Sequence, residues 1–176
     1  EPAWSPDGRF IAARKHFTTA RSLGTGEIWI YHVSGGDGYV AVKKSSEALQ
    51  KELGEPIYAP DGKSIYYTRN VSPGPIFEYA QDSNGSLFEI EKYDFETGEV
   101  STAASGAGGA TRATPSPDGK KLAFVRRERN LSKLYVKDLE TGQLSKVYDA
   151  LDQDQQVAFC GAFGTLQWRA PGTYGQ

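Results

Sequence analysis

The chain has 176 residues, with 20 Lys and Arg set against 22 Asp and Glu for a formal net charge of −2. That even balance leaves no basic footprint for a nucleic-acid backbone. A mean hydropathy of −0.53, with no apolar run near the roughly 18 residues a membrane helix needs, excludes a spanning helix, while 20 Gly and 9 Pro among 38% hydrophobic residues mark a turn-rich globular class.

Taken in chain order, the first element is a short strand, Pro2 to Trp4, ending in the turn WSPDG at 4–8. Pro presets φ and Asp-Gly tolerates the left-handed geometry that closes a hairpin. An apolar run, Phe10 to Arg14, predicts a second strand; the alternating run Glu27 to Val33 predicts a third, and Tyr39 to Val42 after the turn Ser34 to Gly38 a fourth. The segment SSEALQKEL at Ser45 to Leu53 has a Ser ahead of Glu and good helix formers, and is the one place where a helix is predicted.

The same series then recurs. YAPDG stands at 58–62 and PSPDG at 115–119, with the degenerate WRAPG at 168–172, so the turns begin 54, 57 and 53 residues apart. Around the second turn lie strands at Pro56 to Tyr58, Ser64 to Thr68, Ser86 to Tyr93 and, past Glu96-Thr-Gly98, Glu99 to Thr102. Around the third lie Arg112 to Pro115, Lys121 to Val125, Lys133 to Leu139 and, past Glu140-Thr-Gly142, Gln143 to Val147. Four antiparallel strands in each of three repeats of this period predict an all-β chain, a β-propeller of four-stranded antiparallel blades with about three blades present. The blades divide as 1–54, 55–111 and 112–163, and 164–176 opens a degenerate fourth.

The stretches PAWSPDGRFIAARKHF, GEIWIYHVSGGDG, EPIYAPDGKSIYY, PGPIFEY, ETGEV, PSPDGKKLAFVRR and VKDLETGQ resemble the TolB-type, Trp-Asp-like propeller repeats that precede the hydrolase domain in bacterial amidohydrolase-family proteins, with relatives in the tricorn protease propellers. The resemblance covers nearly the whole chain. It implies a non-catalytic module that scaffolds or gates a hydrolase domain in cis, or binds protein or peptide, in a periplasmic or secreted setting. The alternative it implies is the propeller part of a metal-dependent amidohydrolase whose loops contribute to substrate binding. The pattern breaks at Trp168 to Gly172, where the Asp is missing, and the metal-binding His motifs of an amidohydrolase do not occur before Gln176. No catalytic residue is therefore carried over, and no metal or cofactor is expected. Since propellers close with about four to eight blades, three imply either a piece of a larger ring or two copies closing one as a homodimer, with Phe163 to Trp168 as an inner strand awaiting partners.

Chain direction sorts the connections. The first-to-second and third-to-fourth turns are short and share one end of each blade; the long connections, roughly 16–26, 44–54, 70–85, 103–111 and 149–163, share the other, and long loops on a rigid scaffold usually carry binding. The binding candidates there are His16, Phe17 and Arg21, then Phe77 and Tyr79, then Asp152 and Asp154. Asp149 to Asp154 places three carboxylates together but lacks the Gly and bidentate Glu of a calcium loop, so it reads as a solvated acidic loop. Arg126, Arg127 and Arg129 suit a phosphate or carboxylate, or simply keep a strand edge soluble. The lone Cys160 sits among apolar neighbours as a buried, inert thiol. No Gly-x-Ser-x-Gly elbow accompanies the serines, and Gly106 to Gly109 lacks the Lys-Ser/Thr of a phosphate loop.

Overall fold

Every Pro-Asp-Gly turn closes a hairpin in the same way. The amides of Gly8, Gly62 and Gly119 donate to the carbonyls of Ser5, Ala59 and Ser116 at 2.8–2.9 Å, and these glycines sit at φ of 70–71°, where a side chain would be strained. In two of the three, a serine hydroxyl completes the turn: Ser5 Oγ donates to Asp7 and Ser116 Oγ to Asp118, both at 2.6 Å. The middle turn has Ala59 there.

The computed structural model describes residues 2–17, 25–45, 52–71, 87–129 and 131–153. Their strands are β1 (Pro2–Trp4), β2 (Phe10–Phe17), β3 (Thr25–His32), β4 (Tyr39–Val42), β5 (Leu53–Tyr58), β6 (Ser64–Asn70), β7 (Phe88–Asp94), β8 (Val100–Ala104), β9 (Thr111–Pro115), β10 (Lys121–Glu128), β11 (Leu131–Asp138) and β12 (Leu144–Gln153). They form three antiparallel sheets, β1-β2-β3-β4, β5-β6-β7-β8 and β9-β10-β11-β12. The protein is all-β, a partial propeller of three four-stranded blades. Among the described residues no helix is long and apolar enough to cross a membrane.

Two apolar seams hold the blades face to face. Ala12, Ile28, Ile30 and Val42 of the first blade pack on Leu53, Tyr58, Ile65 and Tyr67 of the second. Tyr66, Ile90 and Ala104 of the second meet Ala113, Leu122 and Phe124 of the third. Alternation explains this use of both faces: along β6, Ile65 and Tyr67 point one way and Tyr66 the other. The connection into β9 runs close under β10, with the Arg127 amide donating to Gly108 O at 3.0 Å. A Cβ built on Gly108 would stand 1.8 Å from Arg127 O, at a φ of +81°. Gly108→Ala is therefore expected to cost about 1–3 kcal/mol from overpacking, with left-handed strain added, read as a lower denaturant midpoint.

The structure departs from the sequence reading at strand ends. β5 begins at Leu53 and not at Pro56, because Glu55 takes a φ of 53° and bulges the strand between the Gly54–Thr68 and Ile57–Tyr66 pairs. Arg112, at a φ of 56°, does the same in β9, within the register shift between the Thr111–Val125 and Thr114–Ala123 pairs. The predicted helix at Ser45 to Leu53 has its middle outside the described residues, while Leu53 belongs to β5 and Glu52 is buried. β12 continues to Gln153, so Asp149 and Asp152 lie on a strand and not in a loop.

The third-to-fourth turns use a side-chain cap. Asp94 Oδ1 accepts from the amides of Thr97 (3.0 Å) and Glu96 (2.9 Å), and Asp138 Oδ1 from those of Thr141 (2.8 Å) and Glu140 (3.1 Å). The Thr97 and Thr141 amides foremost hold both carboxyls below the usual carboxylate value. A depressed folded-state value stabilises above the unfolded-state value and loses that contribution as pH falls through the folded one. The unfolding midpoint is thus expected to drop on acidification below about pH 4. The double variant Asp94→Asn, Asp138→Asn should flatten that slope in a thermal series across pH 2–5.

Candidate functional site

The end of the blades that carries the long connections is held by buried charge. Glu52, 2% exposed, stands just ahead of β5; its Oε1 pairs with Arg69 Nη1 at 2.6 Å, and its Oε2 accepts from the Ser45 amide at 2.8 Å. Its own carbonyl accepts from the Asn70 amide at 2.7 Å. One glutamate thus ties both roots of the connection between the first two blades to the end of β6. Arg69 Nε pairs with Glu91 Oε2 at 2.7 Å, which also accepts from Tyr67 Oη at 2.5 Å. Burial first, then that bond to Glu91, pushes the Tyr67 phenol above its ordinary range. The root of the next connection is closed by the Val71 amide on Leu87 O at 3.0 Å.

Nearer the blade convergence, Glu55 crosses a seam. Its Oε2 accepts from Thr68 Oγ1 at 2.8 Å and from the Arg112 amide at 2.9 Å, so the two residues with left-handed φ in β5 and β9 are joined to each other. Backbone held in that region is strained for a side-chain-bearing residue and persists because its surroundings over-determine it.

Counting from the turns, Lys15, Arg69 and Arg126 occupy the same position on β2, β6 and β10. Lys15 Nζ lies 3.6 Å from the centroid of Trp29, within cation–π range. Arg69 lies between Glu52 and Glu91. Arg126 lies over Phe124 and Tyr135 at 5.3 and 5.1 Å and donates to Ser105 O (2.6 Å) and Gly109 O (3.2 Å), clamping the connection into β9. Burial lowers its pKa from the ordinary arginine value. This repeated basic position was legible in the aligned turns, yet the sequence reading singled out only Arg126.

Of the residues expected to bind, His16 is exposed near the end of β2 and Phe17 is that strand's last residue. Asp152 is on β12, its backbone paired with Ser132. Arg21, Phe77, Tyr79 and Asp154 lie outside the described residues, as do Cys160 and Phe163 to Trp168. Asp149 meets Lys146 at 2.7 Å and Lys133 at 3.2 Å, so its carboxylate is neutralised by lysines and not held open for a cation. Among the described residues no group of three or more His, Cys, Asp or Glu could hold a metal ion.

One serine–histidine contact invites a catalytic reading: His32 Nδ1 to Ser34 Oγ, 2.6 Å. It is a turn cap. The same nitrogen accepts from the Ser34 amide at 3.2 Å, at the position where the other blades use Asp94 and Asp138, and the ring stands edge-on to Phe10 at 5.1 Å. Among the described residues no carboxylate orients it as a nucleophile's base requires.

No protein-family model and no curated relative matches the chain. Solved structures do. TolB from Acinetobacter baumannii aligns at 24% identity and a TM-score of 0.62 over 84% of this chain and 31% of its own. The structure described as putative TolB from Agrobacterium tumefaciens aligns at 18% and 0.60, over 84% and 48%. The propeller domain of the trilobed protease from Pyrococcus furiosus aligns at 16% and 0.57, over 86% and 42%. The chain spans less than half the length of each of these proteins. At such identities the likeness speaks for fold, and the fold is that of three blades of a TolB-type β-propeller.

Proposed function

We propose that the chain is a non-catalytic propeller module that binds protein or peptide through the end bearing the long connections, and in that way scaffolds or gates a hydrolase domain. The observation that carries this reading is the Glu52 clamp. A buried carboxylate that joins both roots of one connection to Arg69 at the root of the next is a device for presenting loops from fixed anchors, and loops presented so are where binding determinants reside. His16, Phe17, Arg21, Phe77, Tyr79, Asp152 and Asp154 are the positions proposed to make the contacts.

A displayed random-peptide library selected on the intact chain tests it. Peptides enriched on the native chain and lost on a variant carrying His16→Ala, Arg21→Ala, Phe77→Ala and Tyr79→Ala support the reading; equal enrichment on both overturns it. Turnover of an ester, peptide or cyclic amide that needs Zn²⁺ and disappears in His16→Ala would replace it with the alternative, loops that contribute to a metal-dependent active site.

A further inference from the structure

At the opposite end, between the Pro-Asp-Gly turns of the first two blades, lies a cleft of about 400 Å³. We infer that this cleft is a binding site for a primary ammonium or guanidinium carried on an apolar stem. The site is separate from the loop end and does not depend on the function proposed there.

Three observations converge on that chemistry. First, Tyr58 is 6% exposed, and its hydroxyl is buried with no hydrogen-bond partner. A buried polar atom left unpaired is costly and rare. Burial foremost, with Tyr39 and Asp7 adding to it, raises this phenol to about 12, and both of those residues line the cleft. The hydroxyl therefore stays protonated at neutral pH, and its lone pair, which has no exposed surface in the ligand-free chain, is reached when a side chain of the lining moves aside. Second, Asp61 has a free carboxylate oxygen. Where Asp7 and Asp118 are each engaged by a turn serine, Ala59 stands ahead of Asp61, whose Oδ1 accepts from the Lys63 amide at 2.9 Å and whose Oδ2 accepts nothing among the described residues. Third, the walls are aromatic. Tyr58 stacks on Phe95 with centroids 5.8 Å apart, and Phe10 and Tyr39 are the other two rings of the lining. Faces of this kind hold an apolar stem and attract a cation. At the mouth Arg9 already demonstrates the fit, 5.7 Å from the Phe10 centroid and paired to Asp7 at 2.7 Å, an ion pair open to water.

The fold supplies its own control. The corresponding cleft between the second and third blades has nearly the same volume, about 380 Å³. There Lys92 stands in the lining where Ile30 does in the first, a single ring, Tyr66, takes the place of four, and Asp61 is shared by both; the fixed cation of the first cleft, Arg9, is already paired to Asp7. Two clefts on one scaffold thus differ in lining, and the four rings with the unpaired Tyr58 hydroxyl belong to the first.

The test is an NMR titration of the full chain with N-acetyl-lysine methylamide and with phenethylamine, alongside N-acetyl-norleucine methylamide and phenylacetate. Either amine should shift the ring signals of Phe10, Tyr58 and Phe95, and the neutral and anionic compounds should not. Response to the lysine amide alone marks a peptide side chain as the source; response to phenethylamine alone marks a free aromatic amine. Asp61→Asn should weaken binding about tenfold or more, and Asp118→Asn should leave it unchanged. Tyr58→Phe should weaken binding while leaving the unfolding midpoint of the ligand-free chain unchanged or higher. The inference is overturned if neither amine shifts those signals, if the norleucine amide shifts them equally, or if Asp61→Asn binds as well as the native chain. It is overturned too if Tyr58→Phe lowers the midpoint without altering affinity, which would make the hydroxyl the partner of a water molecule alone.

Discussion

Arg69→Met is expected to remove about 3 kcal/mol of stability, the largest effect of any single charge change in the described blades. The substitution leaves Glu52 at 2% exposure with the Ser45 amide as its remaining side-chain partner among the described residues, and a buried carboxylate stripped of its cation keeps the cost of desolvation without the attraction that offset it. The figure is set at the lower end of the usual range because Arg69 itself is 21% exposed and water screens part of the lost attraction. Adding Glu52→Leu to Arg69→Met should restore part of the loss, since no buried charge is then left on that side of the clamp. Urea denaturation of the single and double variants decides the matter. A single variant as stable as one changed at an exposed lysine such as Lys63 would show that the clamp contributes nothing.

Phe124→Ala should cost about 3–5 kcal/mol. Phe124 is fully buried in the seam between the second and third blades, stacks on Tyr135 with centroids 6.0 Å apart, and carries the Arg126 guanidinium over its face. Truncation therefore opens a cavity at a seam, removes a ring pair, and loosens the cation that clamps the connection into β9. The seam cannot close the gap by a local shift, because Leu122 and Ala113 on the same face are already packed. Val147, 59% exposed on β12, is the matched control, and Val147→Ala should stay within about 0.5 kcal/mol. Equal midpoints for the two variants would sink the expectation.

The hairpins were readable from sequence because Pro-Asp-Gly encodes its geometry locally: φ is fixed by Pro, the left-handed step by Gly, and the cap by Asp. The bulges at Glu55 and Arg112 were not, since neither residue type announces a positive φ; each is held there by contacts that exist only once blades two and three are side by side. Glu52 shows the same limit from another direction. In the sequence it closes a run of good helix formers, and its burial follows from Arg69 and Glu91, which lie on other strands. β12 outran its expected end because the Lys133 and Lys146 partners of Asp149 turn an acidic stretch into a pairing strand. At the cleft, Ala59 in place of a serine is plain in the sequence, but its consequence, an Asp61 Oδ2 that accepts nothing among the described residues, belongs to the folded chain. The Tyr58 hydroxyl carries no sequence signal at all, because an unpaired atom is a property of a finished interior.

The shared basic position on β2, β6 and β10 bears on whether the blades are interchangeable parts. They share one strand order, yet the one cation is settled in three ways: on the Trp29 ring, between two carboxylates, and among backbone carbonyls beside Tyr135. Exchanging β7 for β3 would place Glu91 under Lys15 and leave Arg69 against an indole with Glu52 to share, so a chimera built by shuffling whole strands would keep the fold's outline and lose its charge accounting. Each blade is fitted to its neighbours and to its place in the order, and the order cannot be permuted without redesigning the residue opposite each cation.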